Sequence, residues 1–208
     1  MAKNETVWGI DLGNTSLKAL RCRRGSEPGT LEVLQFDYIE HSKILTQPGA
    51  DANEILAETL ALFLSRNNIK GEKVAISVSG QNALWRFQPL PPSDPKKVNE
   101  LIKYEVKNWL PFDLQDVIWD YRQVGGIIEG GIALDLHIFM YAMKREVAKR
   151  TLDKYASAGI DVDCIQGAQV AIYNAFVNDR YNYDELVEQD LMSLNDYDVI
   201  LNVGTDAN

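Results

Sequence analysis

The fold is decided by the segment Gly9-Ile10-Asp11-Leu12-Gly13-Asn14-Thr15-Ser16-Leu17-Lys18, near the start of the chain. Residues 7–10 and 17–21 have the composition of two strands, and the small polar residues between them predict a tight turn. Successive backbone amides in such a turn can form a concave anion-binding nest. The segment therefore predicts a strand–turn–strand phosphate loop in a nucleotide-binding α/β protein.

The polar residues of this loop each have an expected role. Asp11 ends the buried first strand, where a carboxylate can hold a hydrated Mg²⁺. Gly13 lets the backbone turn tightly and come close to a phosphate, and Lys18 can neutralise a β- or γ-phosphate as a point charge. The amides expected to point at phosphate oxygens are those of Asn14, Thr15 and Ser16. A plain hairpin with a polar turn and an exposed lysine is the alternative explanation.

A similar pattern returns near the end of the chain, in Val199-Ile200-Leu201-Asn202-Val203-Gly204-Thr205. A fold built from two related halves needs one such loop on each side of a nucleotide, so Asn202, Gly204 and Thr205 are expected to bind it as well. An asparagine occupies the position of the acid here. Its amide can accept a hydrogen bond but cannot supply the charge that orients metal-bound water. This residue therefore weakens the case for hydrolysis more than the case for binding.

The composition of the 208-residue chain excludes several classes of partner. Its formal net charge of -9 argues against direct binding to nucleic acid or to an anionic membrane surface, because both need a basic face. The longest apolar stretch, residues 132–143, is interrupted by Asp135 and His137 and is too short to cross a bilayer, so no direct membrane insertion is expected. Cys22 and Cys164 lie far apart in apolar segments and are expected to be buried free thiols in a reducing compartment.

The order of the predicted elements indicates a ribonuclease-H-like domain at the start of the chain. Strands are predicted at 7–10, 17–21, 31–39 and 73–79, and Asp51 is expected to cap a helix before the last of them. Three antiparallel strands, a helix and a further strand are the order in which such a domain is built. We therefore assign residues 1–84 to a first ribonuclease-H-like subdomain that carries the phosphate loop.

The rest of the chain is expected to hold an insertion and the start of a second half. Residues 85–158 are assigned to a small inserted β-α-β-β-α subdomain, and residues 159–208 to a connecting helix and an incomplete second ribonuclease-H-like subdomain. The elements predicted in these two parts are a strand at 85–90, a helix that follows Ser93 or Asp94, strands at 117–124 and 134–143 around a glycine-rich turn at 125–131, a helix at 145–158 capped by Gly159, a strand at 160–165, a helix at 167–177 and a strand at 199–203.

Several segments narrow this fold to one family, and they occur in order along nearly the whole chain. Besides the phosphate loop they are Ala75-Ile76-Ser77-Val78-Ser79-Gly80, Arg86-Phe87-Gln88-Pro89-Leu90-Pro91-Pro92, Glu105-Val106-Lys107-Asn108-Trp109-Leu110-Pro111-Phe112, Trp119-Asp120-Tyr121 and Ala158-Gly159-Ile160. Together they resemble the PilM family of type IV pilus assembly proteins, which belong to the actin-like ATPase superfamily. The segment that begins at Glu105 and ends in Pro111-Phe112, after a Leu-Pro-Pro turn, is the part that narrows the resemblance from actin-like proteins in general to this family.

The resemblance implies an FtsA-like arrangement of subdomains, with ATP and Mg²⁺ bound by the full-length protein. It also implies a cytoplasmic scaffold, peripheral to the inner membrane, that binds the short tail of a PilN-like inner-membrane protein and joins it to other pilus assembly proteins. In the family the tail lies in a groove between the phosphate-loop subdomain and the small one. Arg86, Phe87 and Leu90, together with residues 109–112, are candidates for that contact by location.

Three functional alternatives remain open on the sequence. The chain could belong to a scaffold of a type IV pilus or a related type II secretion system, to an ATPase or sugar-kinase-like enzyme of the same superfamily, or to an FtsA-like division protein. In actin-like ATPases a Glu or Gln near the start of the connecting helix positions the attacking water, which makes Gln166 and Gln169 candidates for that role. With Asn202 in the second loop, we expect a scaffold that hydrolyses ATP slowly if at all.

Overall fold

The computed structural model describes residues 6–26, 30–124 and 126–180. Its elements are, in chain order, β1 (Thr6–Leu12), β2 (Ser16–Arg24), β3 (Leu31–Glu40), α1 (Ala52–Arg66), β4 (Lys73–Val78), β5 (Leu84–Pro89), α2 (Val98–Trp109), β6 (Val117–Val124), β7 (Ile127–Glu129), β8 (Ile132–Leu134), β9 (His137–Lys144), α3 (Arg145–Ser157), β10 (Cys164–Gly167) and α4 (Ala168–Arg180). None of the helices in these ranges is long and apolar enough to cross a bilayer. The strand expected at 199–203 lies outside the described residues.

The chain divides into two units. The second unit is Gly80–Thr151, and the first is formed by the residues before and after it, so that the boundary falls within α3. The bounds expected for the insertion, 85–158, lie slightly later along the chain.

The first unit is built on a five-stranded sheet with the order β10-β4-β1-β2-β3. The pairs β1–β2 and β2–β3 are antiparallel, whereas β1–β4 and β4–β10 are parallel. Antiparallel neighbours are joined by short turns, and the parallel neighbours need crossovers, which α1 and the insertion supply. This is the ribonuclease-H-like strand order that the sequence predicts.

The core of the first unit lies between this sheet and two helices. Trp8 is 0% exposed in the middle strand, and its ring packs edge-to-face on Phe63 of α1 with 5.3 Å between the ring centroids. The other buried members of the core are Ile10, Leu17, Ala19, Ile39, Leu60, Val74, Ile76, Tyr155 and Ile160. The last two come from α3 and from the residue behind its C-terminal glycine, so the chain that returns from the insertion completes this core.

The N-terminus of α1 is capped by Asp51, as the sequence predicts. Its Oδ1 accepts hydrogen bonds from the amides of Asn53 at 3.0 Å and Glu54 at 3.2 Å. Replacing Asp51 by alanine is expected to lower the free energy of unfolding by about 1 kcal/mol, because both amides lose their acceptor. Urea denaturation followed by circular dichroism measures the loss. Asp51→Asn keeps the side-chain acceptor and should recover most of it; an alanine variant as stable as the wild type would contradict the cap.

The C-terminus of α3 shows why the next strand begins later than expected. Gly159 has a φ of +76°, and the amide of Ile160 donates to the carbonyl of Tyr155 at 2.9 Å, which is the bond pattern of a glycine-terminated helix. Asp163 then bonds twice to Val74, through its own amide and through its carboxylate, both at 2.8 Å. These bonds hold the segment against the start of β4, so strand pairing begins at Cys164 and not at Ile160.

The second unit is a three-stranded antiparallel sheet, β5-β9-β6, covered on one face by α2. Its core consists of Leu90, Ile102, Val106, Leu110, Val117, Ala133, Leu136, Ile138, Met140 and Ala142. The single strand expected at 134–143 is interrupted, because Asp135 has a positive φ of 48° that ends β8 before β9 begins. The glycine-rich segment contains a small hairpin, β7–β8, which turns at Gly130 and Gly131, both of positive φ.

The environments of the two cysteines differ from the expected burial. Cys22 is half-buried, and this burial raises the pKa of its thiol. Cys164 is exposed. It lies on β10, which is an edge strand of the sheet among the described residues: β4 pairs with one side of β10, and no described strand pairs with the other. Apolar neighbours in the sequence therefore did not predict its exposure.

Candidate functional site

The phosphate turn joins β1 to β2 at the carboxyl end of the central strand. The hairpin register places Asp11 opposite Lys18 and Leu12 opposite Leu17, and the amide of Gly13 donates to the carbonyl of Ser16 at 3.0 Å. In an antiparallel pair, opposite residues project to the same face. The carboxylate and the ammonium group that the sequence singled out are therefore neighbours.

Asp11 and Lys18 form an ion pair with 3.6 Å between Oδ2 and Nζ. Their side chains are 47% and 58% exposed, so water screens the pair and the bond adds little to stability. Asp11 also accepts a hydrogen bond at Oδ1 from the hydroxyl of Ser77 on β4. The carboxylate is thus oriented from two sides while remaining open to solvent, an arrangement that suits a ligand or a hydrated ion.

Gly13 allows its backbone to come close to that of Ser16 across the turn. A Cβ at this position would lie 3.3 Å from the carbonyl oxygen of Ser16 and 3.9 Å from Nζ of Lys18. The φ of Gly13 is not in the left-handed region, so the glycine is explained by this close approach and not by backbone conformation.

The loop after β3 binds the outward-facing carbonyls of the turn. The carbonyl of Gly13 accepts from the ring of His41 at 3.1 Å, that of Thr15 from the His41 amide at 2.9 Å, and that of Asn14 from the Leu45 amide at 3.0 Å. The side chain of Asn14 is used separately, in a pair of bonds with Thr46 at 2.9 and 3.1 Å. Asn14 therefore contributes its backbone, and not its amide side chain, to any ligand on the other side of the turn.

Two buried hydroxyls of the first unit lack a hydrogen-bond partner among the described residues, those of Ser16 and Tyr155. Ser16 begins β2 directly after the turn and is buried. An unsatisfied buried hydroxyl is costly, so this one is a candidate to be completed by a ligand or a water. Burial first, and the Asp11 carboxylate second, raise the pKa of the Tyr155 phenol, which stays protonated at neutral pH.

The donors at this turn fit a nucleotide phosphate with Mg²⁺. Lys18 supplies a cation, the turn supplies amides, and Asp11 supplies one hard oxygen ligand. Magnesium in phosphate sites usually keeps several waters and takes one or two carboxylates, so a single exposed aspartate is sufficient. Within the described ranges no group of three or more His, Cys, Asp or Glu residues could hold a metal ion.

The two glutamines expected near the connecting helix have different positions. Gln166 lies in β10, opposite Ser77 of β4, and Ser77 in turn bonds to Asp11. Asp11, Ser77 and Gln166 thus occupy neighbouring positions on the adjacent strands β1, β4 and β10. Gln169 is the second residue of α4. The residues expected in the second loop, Asn202, Gly204 and Thr205, lie outside the described part of the chain.

A cleft of about 900 Å³ lies at the other end of the same sheet, where β4 and β10 begin. Two of its acidic residues are already engaged: Glu72 accepts two hydrogen bonds from Arg21, and Asp163 binds Val74. This cleft is remote from the phosphate turn, and we assign no function to it.

The residues expected to contact a partner protein separate into exposed and buried groups. Arg86 and Phe87 lie on β5, an edge strand of the second unit, and Phe87 is 51% exposed while stacking on His137 with 5.2 Å between ring centroids. Leu90 is only 6% exposed and belongs to the core, because its amide is tied to the carbonyl of Leu136 at 2.7 Å. We therefore leave Leu90 out of the contact surface.

Residues 109–112 also include one side chain packed against the core and one that is partly exposed. Trp109 packs against the core of the second unit, whereas Phe112 is partly exposed and carries the ammonium group of Lys144 over its ring at 4.0 Å. Trp85, two residues before Phe87 on β5, is a further exposed aromatic side chain that was not among the expected contact residues. It stacks on Phe139 with 6.2 Å between ring centroids. Side chains alternate along a strand, so Trp85 and Phe87 project from the same face, and this spacing could have identified Trp85 from the sequence.

No family model matches the chain, and no curated protein matches it. Among solved structures the chain is similar to a chain of the PilM–PilN type IV pilus biogenesis complex, with a TM-score of 0.58 and 17% identity, over 77% of this chain and 47% of that chain. It is also similar to the cytoplasmic domain of EpsL, an inner-membrane component of the type II secretion system of Vibrio cholerae, with a TM-score of 0.46 and 14% identity over 77% and 57% of the two chains. A protein of unknown function from Bacteroides thetaiotaomicron, with an actin-like ATPase fold, gives a TM-score of 0.38 and 10% identity over 84% and 56%.

The first of these likenesses, together with the strand order, confirms the expected fold class. The chain has the actin-like ATPase fold, with a ribonuclease-H-like unit and an inserted second unit. It spans about half the length of the pilus complex chain that it matches.

Proposed function

We propose that this chain is the nucleotide-binding part of an actin-like scaffold protein in the assembly of a type IV pilus or a related type II secretion system. The observation that carries the proposal is the phosphate turn. Asp11 and Lys18 form an ion pair across the hairpin, and the carbonyls of the turn accept hydrogen bonds from the loop at residues 41–45. The choice of system is supported by the likeness of the fold to the PilM–PilN complex.

ATP with Mg²⁺ is the proposed ligand of the turn. Bound Mg²⁺ would neutralise charge on the phosphates. Lys18 would pair with a phosphate oxygen in place of its weak, screened contact with Asp11, since a hydrogen bond between two charged groups is stronger. Asp11 would hold the ion through its waters, with Ser77 fixing the orientation of the carboxylate. Both side chains are exposed enough to do this without rearrangement of the sheet.

A scaffold role is favoured over catalysis by the composition of the second loop. Asn202 stands where hydrolysis would call for an acid. Gln166, in line with Ser77 and Asp11, is the better placed of the two candidates for positioning a water. We therefore propose slow hydrolysis at most, with the nucleotide acting as a ligand that holds the two halves of an actin-like cleft in one arrangement.

The proposed partner is the short cytoplasmic tail of a PilN-like inner-membrane protein, which would hold the scaffold at the inner face of that membrane. The support for this partner is the PilN chain of the similar complex and the exposed aromatic strand β5. Aromatic side chains are prominent in the energetics of protein interfaces. Trp85 and Phe87 supply two of them on one face of β5, whereas Arg86 projects from the other face.

Binding of a synthetic tail peptide tests the proposed partner. We expect the full-length protein to bind a peptide copying the cytoplasmic tail of a PilN-like protein from the same organism, and Phe87→Ala to weaken binding by about tenfold, or ~1.4 kcal/mol. Fluorescence polarisation with a labelled peptide measures the affinity. Ile128→Ala, on the exposed β7 strand of the same unit, is the matched control and should bind normally. A folded wild-type protein that does not bind the peptide would contradict the PilN-like partner.

A further inference from the structure

His41 contacts the phosphate turn and helix α1 at the same time. It follows β3 directly, and its amide donates to the carbonyl of Thr15 at 2.9 Å. Its ring Nε2 lies 3.1 Å from the carbonyl oxygen of Gly13, and its ring Nδ1 lies 2.8 Å from the hydroxyl of Thr59. Thr59 belongs to α1 and is 4% exposed. No sequence pattern had singled out this histidine.

The partners of the ring determine where its proton lies. A carbonyl oxygen can only accept a hydrogen bond, so Nε2 must carry a proton and donate to Gly13. In the neutral ring Nδ1 is then an acceptor, which the Thr59 hydroxyl satisfies by donating. Both ring nitrogens are thus used, and the orientation of the ring is fixed by a buried residue of the helix.

The two carbonyls that His41 holds determine the direction of two amides in the turn. Among the described residues all peptide bonds are trans, and in a trans peptide unit the N–H points opposite to the C=O. The carbonyl of Gly13 shares its peptide unit with the amide of Asn14, and the carbonyl of Thr15 with that of Ser16. Because His41 binds both carbonyls, the amides of Asn14 and Ser16 are turned away from it, to the opposite side of the turn.

We propose that His41 is the positioning residue of the phosphate turn, holding the amides of Asn14 and Ser16 in the direction that an anion requires. This inference rests on the proposed nucleotide function of the turn. His41 does not touch the ligand itself. Its effect arises because the turn needs no reorganisation when the ligand binds, which lowers the cost of association.

The test combines binding with the state of the turn in the full-length protein. Isothermal titration with Mg-ATP should show His41→Ala binding about tenfold more weakly, and His41→Gln restoring most of the affinity. Glutamine offers an N–H donor and a carbonyl acceptor in place of Nε2 and Nδ1. Thr59→Val, which removes only the hydroxyl behind the ring, should have an intermediate effect. Ser42→Ala, at the adjacent exposed position, is the matched control and should bind normally.

Nuclear magnetic resonance supplies a readout that general destabilisation would not reproduce. The ¹⁵N shifts of the His41 ring should show the proton on Nε2. The amide shift of Asn14, whose peptide unit the ring holds, should change in His41→Ala and return in His41→Gln, whereas that of Ser16 should change less, because residue 41 keeps the backbone amide that holds its peptide unit. An unchanged Asn14 amide shift and an unchanged affinity in His41→Ala would overturn the inference, as would a ring with its proton on Nδ1 alone. If His41→Ala fails to fold, the affinities and amide shifts of His41→Gln and Thr59→Val are compared with those of the wild type instead.

The two hypotheses fail in different ways. A wild-type protein that binds no Mg-ATP contradicts the proposed nucleotide function, and the inference about ligand positioning falls with it even if the amide shifts respond to His41. Wild-type binding that is insensitive to His41 overturns the positioning role alone and leaves the nucleotide function standing.

Discussion

Replacing Trp8 by alanine is expected to lower the free energy of unfolding by about 3–5 kcal/mol, the range for loss of a large aromatic side chain from a packed core. Trp8 is completely buried on β1, the middle strand of the five-stranded sheet, and packs edge-to-face on Phe63. Its removal leaves a cavity between the sheet and α1 that neighbouring side chains can only partly fill. Chemical denaturation followed by circular dichroism measures the loss.

Trp8→Phe is the matched control for this substitution. The indole N–H of Trp8 is buried without a hydrogen-bond partner among the described residues. Phenylalanine keeps an aromatic ring for the contact with Phe63 and removes this unsatisfied donor, which offsets part of the lost apolar area. We expect Trp8→Phe to cost less than half as much as Trp8→Ala. If both variants lose the same stability, the role assigned to the indole N–H is wrong. If the alanine variant shows no measurable loss, Trp8 does not contribute to the core as described.

Replacing Lys18 by methionine is expected to weaken Mg-ATP binding by the full-length protein by about ten- to a hundredfold, since a charge-assisted hydrogen bond contributes roughly 1.5–3 kcal/mol. Methionine keeps an unbranched apolar stem and removes only the ammonium group. Folding should change little, because the pair with Asp11 is exposed. Isothermal titration measures the affinity.

Lys70→Met is the matched control for Lys18→Met. Lys70 is an exposed lysine at the opposite end of the same sheet, beside the start of β4, and its loss should leave the affinity unchanged. An equal effect of the two substitutions would indicate a general charge effect. An unchanged affinity in Lys18→Met would remove this residue from the site.

Local patterns in the sequence were sufficient for most of the first unit. The composition of residues 7–10 and 17–21 predicted the β1–β2 hairpin, and the structure then gave the register that places Asp11 opposite Lys18. Asp51 marked the start of α1, and Gly159 the end of α3. These features depend on residues close together in the chain, where side-chain and backbone preferences act directly.

The sequence did not predict the contacts that join segments far apart in the chain. Ser77 meets Asp11 only because β4 pairs with β1 in parallel, and Thr59 meets His41 only because α1 lies against the same sheet. Leu90 follows an exposed strand and was expected at a partner surface, but its bond to Leu136 places it in the core. Cys164 has apolar neighbours in sequence yet lies exposed on an outer strand.

The phosphate turn combines both kinds of information. The sequence by itself determined the hairpin, its turn glycine and the roles expected of Asp11 and Lys18, because strand-forming residues on either side of small polar residues are a local signal. The pairing of the two charges comes from the structure. Only the tertiary structure decided which way the turn's amides point, because their direction is fixed by carbonyl contacts to His41 and Leu45, about thirty residues further along the chain. Those contacts exist only once β3 has paired with β2 and α1 has packed on the sheet, and no local preference of the turn residues encodes them.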